Sequence, residues 1–316
     1  MKFLTQFLSF ASAAMAVSGV AAGYPNPGKV TGNIGVHDPS MAKLGSTYFV
    51  YGTAPGISIK TSTDRTNFRD AGVAFPNGLP WCNSYTAGDR NIWAPDVHVI
   101  KGKFYMYYSC SSFGSRNSAI FLATSTTGRA GSWTNRGLVI KSTQTSTFNA
   151  IDPGLVVDSN GKWVLTLGSF GDGIHQIDID PATGLRLGGR RHGLASRPRN
   201  GGAVEGAYQH KIGNYWYLFV SFDKCCQGVG STYHVMVGRS AHRNGPFLDR
   251  NGVDMAAGGG TEVLGAHGDV HGPGGQSLMQ DVDGHLLVYH YYDARGAPTL
   301  GINKIVLDGA GWPVAV

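Results

Sequence analysis

Apolar and polar residues alternate along this chain in short runs, and five of these runs resemble one another. Each run begins at a turn glycine and continues as an aromatic-rich alternation typical of β-strands. The five runs span residues 45–51, 102–108, 161–167, 213–219 and 284–290. Successive first glycines are therefore separated by 57, 59, 52 and 71 residues. This spacing indicates a β unit that is repeated five times.

Each run is preceded by a short polar or acidic signature and followed by at least one more predicted strand. The signatures are His37-Asp38-Pro39, Ala94-Pro95-Asp96, Ile151-Asp152-Pro153, Val204-Glu205-Gly206 and Gly272-Pro273-Gly274. Third strands are predicted at residues 57–62, 119–124 and 234–239, and an outer fourth strand at residues 135–140. Four strands in each of five repeats predict an all-β, five-bladed β-propeller. The alternative is a two-sheet sandwich in which the near-equal spacing is a coincidence, and no helix is predicted.

The N-terminal residues predict a secreted protein. Residues 1–22 contain Lys2, an apolar stretch and the small residues Val20-Ala21-Ala22, which is the pattern of a cleaved signal peptide. Residues 23–316 are expected to form one catalytic domain. No later stretch has the roughly 20 apolar residues that a membrane-spanning helix needs, so we expect a soluble extracellular protein.

Composition narrows the range of partners. The charged fraction is 15%, glycine occurs 47 times, and the formal net charge is +6. A basic surface would suit an acidic polysaccharide, although simple solubility explains it equally well. The one basic cluster, residues 186–199, contains no interleaved aromatic residues. We therefore expect a monomer with no nucleic-acid or membrane partner.

The four cysteines are even in number, which favours disulfides in a secreted chain. Three connectivities are possible, and the favoured one pairs Cys82 with Cys110 and Cys225 with Cys226. Free buried thiols are the alternative. No Cys-x-x-Cys pair occurs, so a zinc site is not predicted.

The acidic residues of the signatures predict a catalytic cavity. In a propeller the first strand of each blade lines the central axis, so Asp38, Asp96, Asp152 and Glu205 should converge although they are far apart in sequence. Several carboxyl groups in one cavity cost stability through repulsion and desolvation, and this cost favours a functional role. Glycoside hydrolysis needs two carboxyl groups, one protonated and one ionised, and a third can raise the pKa of the acid. The spacing alone does not assign these roles.

The motifs around these carboxyl groups resemble those of the family-43 glycoside hydrolases. The matching stretches are Val36-His37-Asp38-Pro39-Ser40, Asn91-Ile92-Trp93-Ala94-Pro95-Asp96, Asn149-Ala150-Ile151-Asp152-Pro153 and Val204-Glu205-Gly206-Ala207-Tyr208. Within the family they most resemble the secreted fungal enzymes that cleave arabinan internally. The resemblance implies a five-bladed propeller and hydrolysis of α-1,5-L-arabinofuranosidic linkages with inversion. It also implies that Asp38 is the general base, that Glu205 is the general acid, and that Asp152 tunes and orients Glu205.

The resemblance extends to possible binding residues. It implies substrate contacts for four residues: His37, Phe113, Asn149 and Ser169. Trp93 is a fifth candidate because it precedes the carboxylate of the second blade. Trp93 could stack on a furanose ring or belong to the core, and Asp96 is interpreted as structural or binding.

The resemblance also implies a calcium or sodium ion on the propeller axis, held by a histidine in a Gly-Pro-Gly-His motif. This chain has Gly275 at the histidine position. His267 and His271 are nearby candidates for the metal, and the alternative is that both are ordinary loop histidines.

Two groups of alternatives stay open. An exo-arabinanase, an α-L-arabinofuranosidase or a β-xylosidase could use the same fold. The absence of a second domain or a long insertion favours an open cleft and internal cleavage. A sugar-binding propeller without catalysis is the alternative outside the enzymes.

Overall fold

A computed structural model describes residues 23–316 as five β-sheets arranged as the blades of a propeller. The predicted signal peptide, residues 1–22, lies outside the described residues. The first blade contains β1 (Thr31–Gly32), β2 (Ser40–Leu44), β3 (Thr47–Gly52), β5 (Ser58–Ser62) and β6 (Asn67–Val73). The second contains β4 (Ala54–Pro55), β7 (Asn91–Ile100), β8 (Lys103–Cys110), β9 (Ala119–Ser125) and β10 (Thr134–Lys141). The third contains β11 (Gly154–Val157), β12 (Trp163–Leu167), β13 (Ile174–Ile179) and β14 (His192–Ala195).

The last two blades have four strands each. The fourth contains β15 (Val204–Ile212), β16 (Tyr215–Phe222), β17 (His234–Ser240) and β18 (Thr261–Leu264). The fifth contains β19 (His271–Asp281), β20 (Gly284–Tyr292), β21 (Pro298–Leu307) and β22 (Pro313–Ala315). Helical segments are short: α1 (Asn83–Thr86) and the 3₁₀ turns Pro80–Cys82, Pro198–Asn200, Gly228–Gly230 and Met255–Ala257. The predicted all-β, five-bladed β-propeller is confirmed.

The five aromatic-rich runs all form the second strand of a blade. These strands are β3, β8, β12, β16 and β20, and each pairs antiparallel with the strands on both sides. Both faces of a blade pack against neighbouring blades, so side chains on both faces are removed from water. Tyr51, Tyr107 and Tyr289 are fully buried in these strands. The repeat in the sequence therefore reflects the inter-blade core.

The N-terminal segment joins the first blade to the last. The backbone N–H of Gly28 donates to the carbonyl of Ile302 at 2.9 Å, and the N–H of Leu300 donates to the carbonyl of Ile34 at 2.8 Å. Between Gly28 and Ile34, β1 pairs in parallel with β6, the outer strand of the first blade. These backbone bonds close the ring of blades, since every strand of the fifth blade comes from the C-terminal part of the chain.

The cysteines lie where the favoured connectivity places them. Cys82 and Cys110 are at bonding distance and buried, while Cys225 and Cys226 form a pair of adjacent bonded residues in the loop after β16. Within residues 23–316, none of the helical segments has the length and apolar character needed to cross a membrane.

Candidate active site

Five residues with a left-handed backbone lie near the start of the inner strands at one end of the propeller axis. Two of them precede β2 and β11, and the other three lie in the first half of β7, β15 and β19. We call them the lead residues, one for each blade: Asp38 (φ 48°), Ala94 (42°), Asp152 (54°), Gly206 (60°) and Gly275 (56°). Proline follows the lead residue in the first three blades. All five lead residues line or adjoin one narrow cavity of about 40 Å³. The left-handed turn directs the side chains of Asp38 and Asp152 towards this cavity.

The alignment on lead residues corrects the predicted ring of four matching carboxyl groups. Asp38 and Asp152 are equivalent, but Ala94 occupies that position in the second blade and Gly206 in the fourth. Asp96 stands two residues after its lead residue, and Glu205 stands one residue before. In the first three blades, the proline of the Asp-Pro or Ala-Pro step marks the equivalent position. The spacing between acidic residues does not reveal this equivalence.

Asp96 is a structural residue that joins three blades. Its carboxylate accepts a hydrogen bond of 2.6 Å from the N–H of Leu155 and one of 3.5 Å from the hydroxyl of Ser40. Nε2 of His98 lies 2.9 Å from Oδ2, the same oxygen that Leu155 bonds. The side chain is buried, so these bonds satisfy a charge that would otherwise be costly.

Asp38 is held as a carboxylate. Its Oδ2 lies 2.9 Å from Nδ1 of His37 and accepts a 2.7 Å hydrogen bond from the hydroxyl of Thr53. The N–H of Asp38 donates to Nδ1 of His290 at 3.1 Å. Burial alone would raise the pKa of Asp38, but the charge and hydrogen bond of His37, with His290 and Thr53, hold it well below its usual range. The group is thus ionised at every pH where the protein is expected to work.

Glu205, the second residue of β15, is held in the opposite state. Its side chain is buried, and its two oxygens accept hydrogen bonds from Ser169, at 2.5 Å, and from the hydroxyl of Tyr233. Burial raises the pKa of Glu205 to about 7; the Ser169 bond opposes this rise and the negative charge of Asp38 adds to it. Glu205 therefore keeps its proton through the acidic range in which an ordinary glutamate has lost it.

The pKa of Asp152 is coupled to that of Glu205. Oδ2 of Asp152 accepts a 3.0 Å hydrogen bond from the N–H of Gly206, and its own N–H donates to Ser109 at 3.1 Å. Burial raises the pKa of Asp152 well above its usual range, and the charges of Glu205 and Asp38 raise it further. Three carboxyl groups thus share one end of the axis with different proton affinities, which is the arrangement that acid–base catalysis requires.

The predicted substrate-contact residues occupy different environments. Ser169 is buried against Glu205, while His37 is half-buried against Asp38. Trp93 is half-exposed in β7, where it pairs with Ser109. Phe113 is 86% exposed in the loop after β8. Asn149 is buried, and its amide donates to the carbonyl of Ser115 at 3.4 Å.

Asn149 and Phe113 are related through one loop. The bond from Asn149 reaches the same loop, between β8 and β9, that carries the exposed Phe113. The Oδ1 atom of Asn149 is buried and has no hydrogen-bond partner among the described residues. Phe113 is thus exposed to solvent, the amide oxygen of Asn149 is buried without a partner in the described part of the chain, and the hydroxyl of Ser169 is already engaged by Glu205.

Sequence reasoning did not identify Thr53, Tyr233, His290 or Tyr292, which hold the carboxyl groups or their partners. Thr53 follows β3 and Tyr233 precedes β17, so neither belongs to a motif on an inner strand. His290 and Tyr292 end the second strand of the fifth blade. The end of the second strand is therefore the signal for Thr53, His290 and Tyr292, whereas Tyr233 borders a third strand.

Among residues 23–316, no hydrogen bond or ion pair joins His267 or His271 to the carboxyl groups of Asp38, Asp152 or Glu205. His267 packs against Tyr24, with ring centroids 5.7 Å apart, and its Nδ1 donates to the carbonyl of Gly265. His271 begins β19 opposite Tyr292. Within residues 23–316, two sets of side chains bring three ligand atoms within 4.8 Å of one another: His37 with Asp38 and His290, and His37 with Cys225 and Cys226. Neither set includes His267 or His271.

The first of these sets does not fit the calcium or sodium ion that the resemblance implies. It offers two nitrogens and one carboxyl group, whereas calcium takes six to eight oxygens. The rings of His37 and His290 stack with centroids 3.8 Å apart, and the facing nitrogens already bond Asp38. A Cβ atom at Gly275 would lie 2.6 Å from Oδ1 of Asp38 and 2.8 Å from the ring of His290. The ring of His290 thus fills the space that a histidine at position 275 would need. The second set has both sulfurs bonded to each other and offers no thiolate.

The fold and the carboxyl site together define a class, the propeller enzymes that cleave glycosidic bonds by acid–base chemistry. The model of the glycosyl hydrolases family 43 matches residues 28–313, and the chain belongs to this family. The chain is 41% identical to the extracellular endo-α-(1→5)-L-arabinanase 1 of Bacillus subtilis strain 168, over 98% of this chain and 97% of the relative. It is 37% identical to the arabinan endo-1,5-α-L-arabinosidase A of Aspergillus niger, over 98% of this chain and 99% of the relative.

The structure is also similar to a solved enzyme. The GH43 endo-arabinanase from Bacillus licheniformis superimposes with a TM-score of 0.86 at 42% identity, covering 90% of this chain and 99% of the other. The family match, residues 28–313, includes all five lead residues. The resemblance to family 43 is confirmed, and the protein is a glycoside hydrolase.

Proposed function

We propose that this protein hydrolyses internal α-1,5-L-arabinofuranosidic linkages of arabinan with inversion at the anomeric carbon. Relatives named as endo-arabinanases match nearly its full length at 37–41% identity, which supports this linkage and this substrate. In this proposal Glu205 is the general acid, Asp38 is the general base, and Asp152 tunes and orients Glu205.

The observation that carries the proposal is the opposite displacement of the pKa values of two neighbouring carboxyl groups at one end of the axis. The pKa of Asp38 lies well below its usual range and that of Glu205 lies near 7. Between these values one group is ionised and the other is protonated, as a base and an acid must be before the reaction begins. A cavity that only bound neutral sugars would gain nothing from this costly separation.

The geometry supports one proton path. Glu205 donates its proton to the oxygen of the leaving sugar, while Asp38 removes a proton from the water that attacks the anomeric carbon from the opposite face. Glu205 becomes a carboxylate in this step, and the hydroxyls of Ser169 and Tyr233 stabilise it by donating to its oxygens. His37 stabilises the ionised form of Asp38 before the reaction, since Nδ1 faces Oδ2 at 2.9 Å.

We also propose that residues 1–22 are removed on secretion and that residues 23–316 act as one extracellular domain, as a monomer. The name of the Bacillus subtilis relative includes the word extracellular, which supports secretion. The net charge of +6 suits a substrate embedded in acidic plant-wall polysaccharide.

Product analysis tests the proposal. The purified protein is incubated with linear arabinan, debranched arabinan and xylan, and the products are separated by chromatography. Mixed short arabino-oligosaccharides from the arabinans and none from xylan are expected. Arabinose as the sole product would replace endo with exo action, and no release from any polymer would favour a binding propeller. Proton NMR of the first product is expected to show the β-anomer, whereas an initial α-anomer would contradict inversion.

A further inference from the structure

Tyr292 lies between His37, which contacts Asp38, and the loop that carries Cys225 and Cys226. It is the last residue of β20 and is buried. Its hydroxyl oxygen accepts a hydrogen bond of 2.8 Å from the N–H of Cys226 and lies 2.8 Å from Nε2 of His37. The other nitrogen of His37 faces Oδ2 of Asp38 at 2.9 Å. Three hydrogen bonds thus connect the backbone of Cys226 to the carboxylate of Asp38.

We propose that Tyr292 and the Cys225–Cys226 disulfide are positioning residues that orient His37 and, through it, the carboxylate of Asp38. The inference rests on the proposed role of Asp38 as the general base. Nothing in the family resemblance or in the names of the relatives assigns a role to Tyr292 or to this disulfide.

The hydrogen-bond partners of His37 fit its protonated form. Burial disfavours the charged ring, but the charge of Asp38 and its hydrogen bond raise the pKa of His37. In the protonated ring, Nδ1–H donates to Oδ2 of Asp38 and Nε2–H donates to the hydroxyl oxygen of Tyr292. Burial raises the pKa of Tyr292 to about 12, so its hydroxyl keeps its proton wherever the enzyme works. Without the oxygen of Tyr292, Nε2–H of His37 loses this acceptor and the angle of the ring is not fixed from that side.

The disulfide holds the donor in place. Cys226 has a left-handed backbone, with φ of 69°, which is unusual for a residue with a side chain. The bond to Cys225 closes a ring that contains the peptide between the two residues and so limits the rotation of that peptide. The sulfur of Cys226 also lies 3.7 Å from Nε2 of His37. His290 stacks on the ring of His37 at 3.8 Å, so the imidazole is confined between two fixed groups.

Asp38 responds to several groups, and a test must separate them. His37 and His290 lower its pKa. Glu205 and Asp152 are the neighbouring carboxyl groups. Tyr292 faces His37. The substitution Tyr292→Phe removes only the hydroxyl and leaves the histidines and carboxyl groups in place. The matched control is Tyr291→Phe, next in sequence, because the hydroxyl of Tyr291 makes no hydrogen bond with the described residues.

The experiment measures kcat, KM and the pH dependence of kcat/KM on linear arabinan. Tyr292→Phe is expected to lower kcat roughly tenfold with KM nearly unchanged, because a misplaced base slows the chemical step more than binding. The acidic limb should also move about half a pH unit to higher pH, since the carboxylate of Asp38 loses part of its support. The double variant Cys225→Ala/Cys226→Ala should shift both quantities in the same direction. Tyr291→Phe should match the wild type.

The Asp38→Asn variant is measured alongside, so that the two claims fail separately. If Asp38→Asn keeps its activity, the proposed role of Asp38 is wrong. If Asp38→Asn is inactive but Tyr292→Phe behaves like Tyr291→Phe in both kcat and pH profile, the positioning inference alone is overturned.

Folding of each variant is checked by its thermal midpoint. If Tyr292→Phe does not fold, mild thiol reduction of the wild type tests the positioning role instead. The Cys225–Cys226 bond is accessible, whereas Cys82 and Cys110 are almost fully buried. Reduction should lower kcat reversibly and move the acidic limb upwards, with no effect on the double cysteine variant. An equal response of the wild type and the double variant, or none in either, would overturn the inference.

Discussion

The backbone N–H of Gly206 donates a 3.0 Å hydrogen bond to Oδ2 of Asp152. This bond joins the residue after Glu205 to the lead residue of the neighbouring blade, so the two carboxyl groups are fixed relative to each other. Burial raises the pKa of both groups, the charge of Asp38 raises both further, and Glu205 also raises the pKa of Asp152. Together they retain protons at pH values where isolated carboxyl groups have none.

The first prediction concerns Asp152. Glu205 works as an acid only while it is protonated, so activity is lost as the pH rises through its pKa of about 7. The charge of Glu205 raises the pKa of Asp152, and repulsion between two ionised carboxyl groups is mutual, so the two groups titrate as a pair. Asp152→Asn removes this repulsion. The pKa of Glu205 should then fall, and the alkaline limb of kcat/KM should move about one pH unit lower. An alkaline limb that stays in place would show that Asp152 does not tune Glu205.

The second prediction separates the acid from the base by the leaving group. Glu205→Gln should lower activity on arabinan roughly a thousandfold, because the leaving sugar oxygen needs a proton. An aryl α-L-arabinofuranoside with an acidic phenol needs little protonation, so the same variant should lose far less activity on it. Asp38→Asn should lose activity on both substrates to a similar degree.

Initial rates on the two substrates, with the wild type as the reference, check this difference. The prediction is contradicted if Asp38→Asn retains activity on the aryl substrate and Glu205→Gln does not. That result would exchange the two roles.

The third prediction concerns Gly275, which stands where the resemblance implies a histidine. A Cβ atom there would lie 2.6 Å from Oδ1 of Asp38, and the backbone has φ of 56°. Gly275→Ala should therefore lower kcat/KM by about a hundredfold by displacing Asp38. Gly268→Ala is the matched control, since its φ is 49° and its Cβ would meet nothing within 4 Å. Equal activities of the two variants would show that position 275 tolerates a side chain.

The fourth prediction concerns closure of the ring of blades. Asp281 of the fifth blade accepts hydrogen bonds from three residues of the first: Lys43 at 2.9 Å, Tyr48 at 2.6 Å and Arg65 at 2.5 Å. Burial opposes ionisation of Asp281, but these bonds lower its pKa to about 2. Asp281→Asn should lower the free energy of unfolding by about 2 kcal/mol at neutral pH.

The pH dependence of this contribution follows from the lowered pKa. The stabilisation is complete above the unfolded value of about 4 and is lost as the pH falls towards 2. Asp283→Asn is the control, because Asp283 bonds the same Arg65 from an exposed position and should cost less than about 1 kcal/mol. Denaturant unfolding of both variants checks the order, and a larger loss for Asp283→Asn would contradict it.

The repeat made the fold predictable from the sequence. Each aromatic run forms a second strand because it is buried between two blades, and burial on both faces leaves a strong pattern. The same pattern predicted that distant carboxyl groups would meet. Asp38, Asp152 and Glu205 do share one end of the axis, as their positions at the starts of inner strands required.

Other parts of the site left no periodic signal. Tyr233, His290 and Tyr292 reach the carboxyl groups from loops or from the far end of second strands, and their positions depend on how neighbouring blades meet. The spacing between acidic residues predicts that Asp96 is equivalent to Asp38. The spacing between the prolines instead makes Ala94 the equivalent residue. The burial of Asp96 against Leu155 depends on contacts between blades, which the sequence does not display.

The pKa values of Asp38 and Glu205 are displaced in opposite directions before substrate binds. The pH profile of kcat/KM on linear arabinan tests this displacement, because kcat/KM reports the ionisable groups of the free enzyme. We expect a bell-shaped profile whose acidic limb lies below the ordinary carboxyl range of about 4 and whose alkaline limb lies near the Glu205 pKa of about 7. A profile that stays flat from about pH 5 to about pH 9, well beyond any ordinary carboxyl pKa, would contradict it.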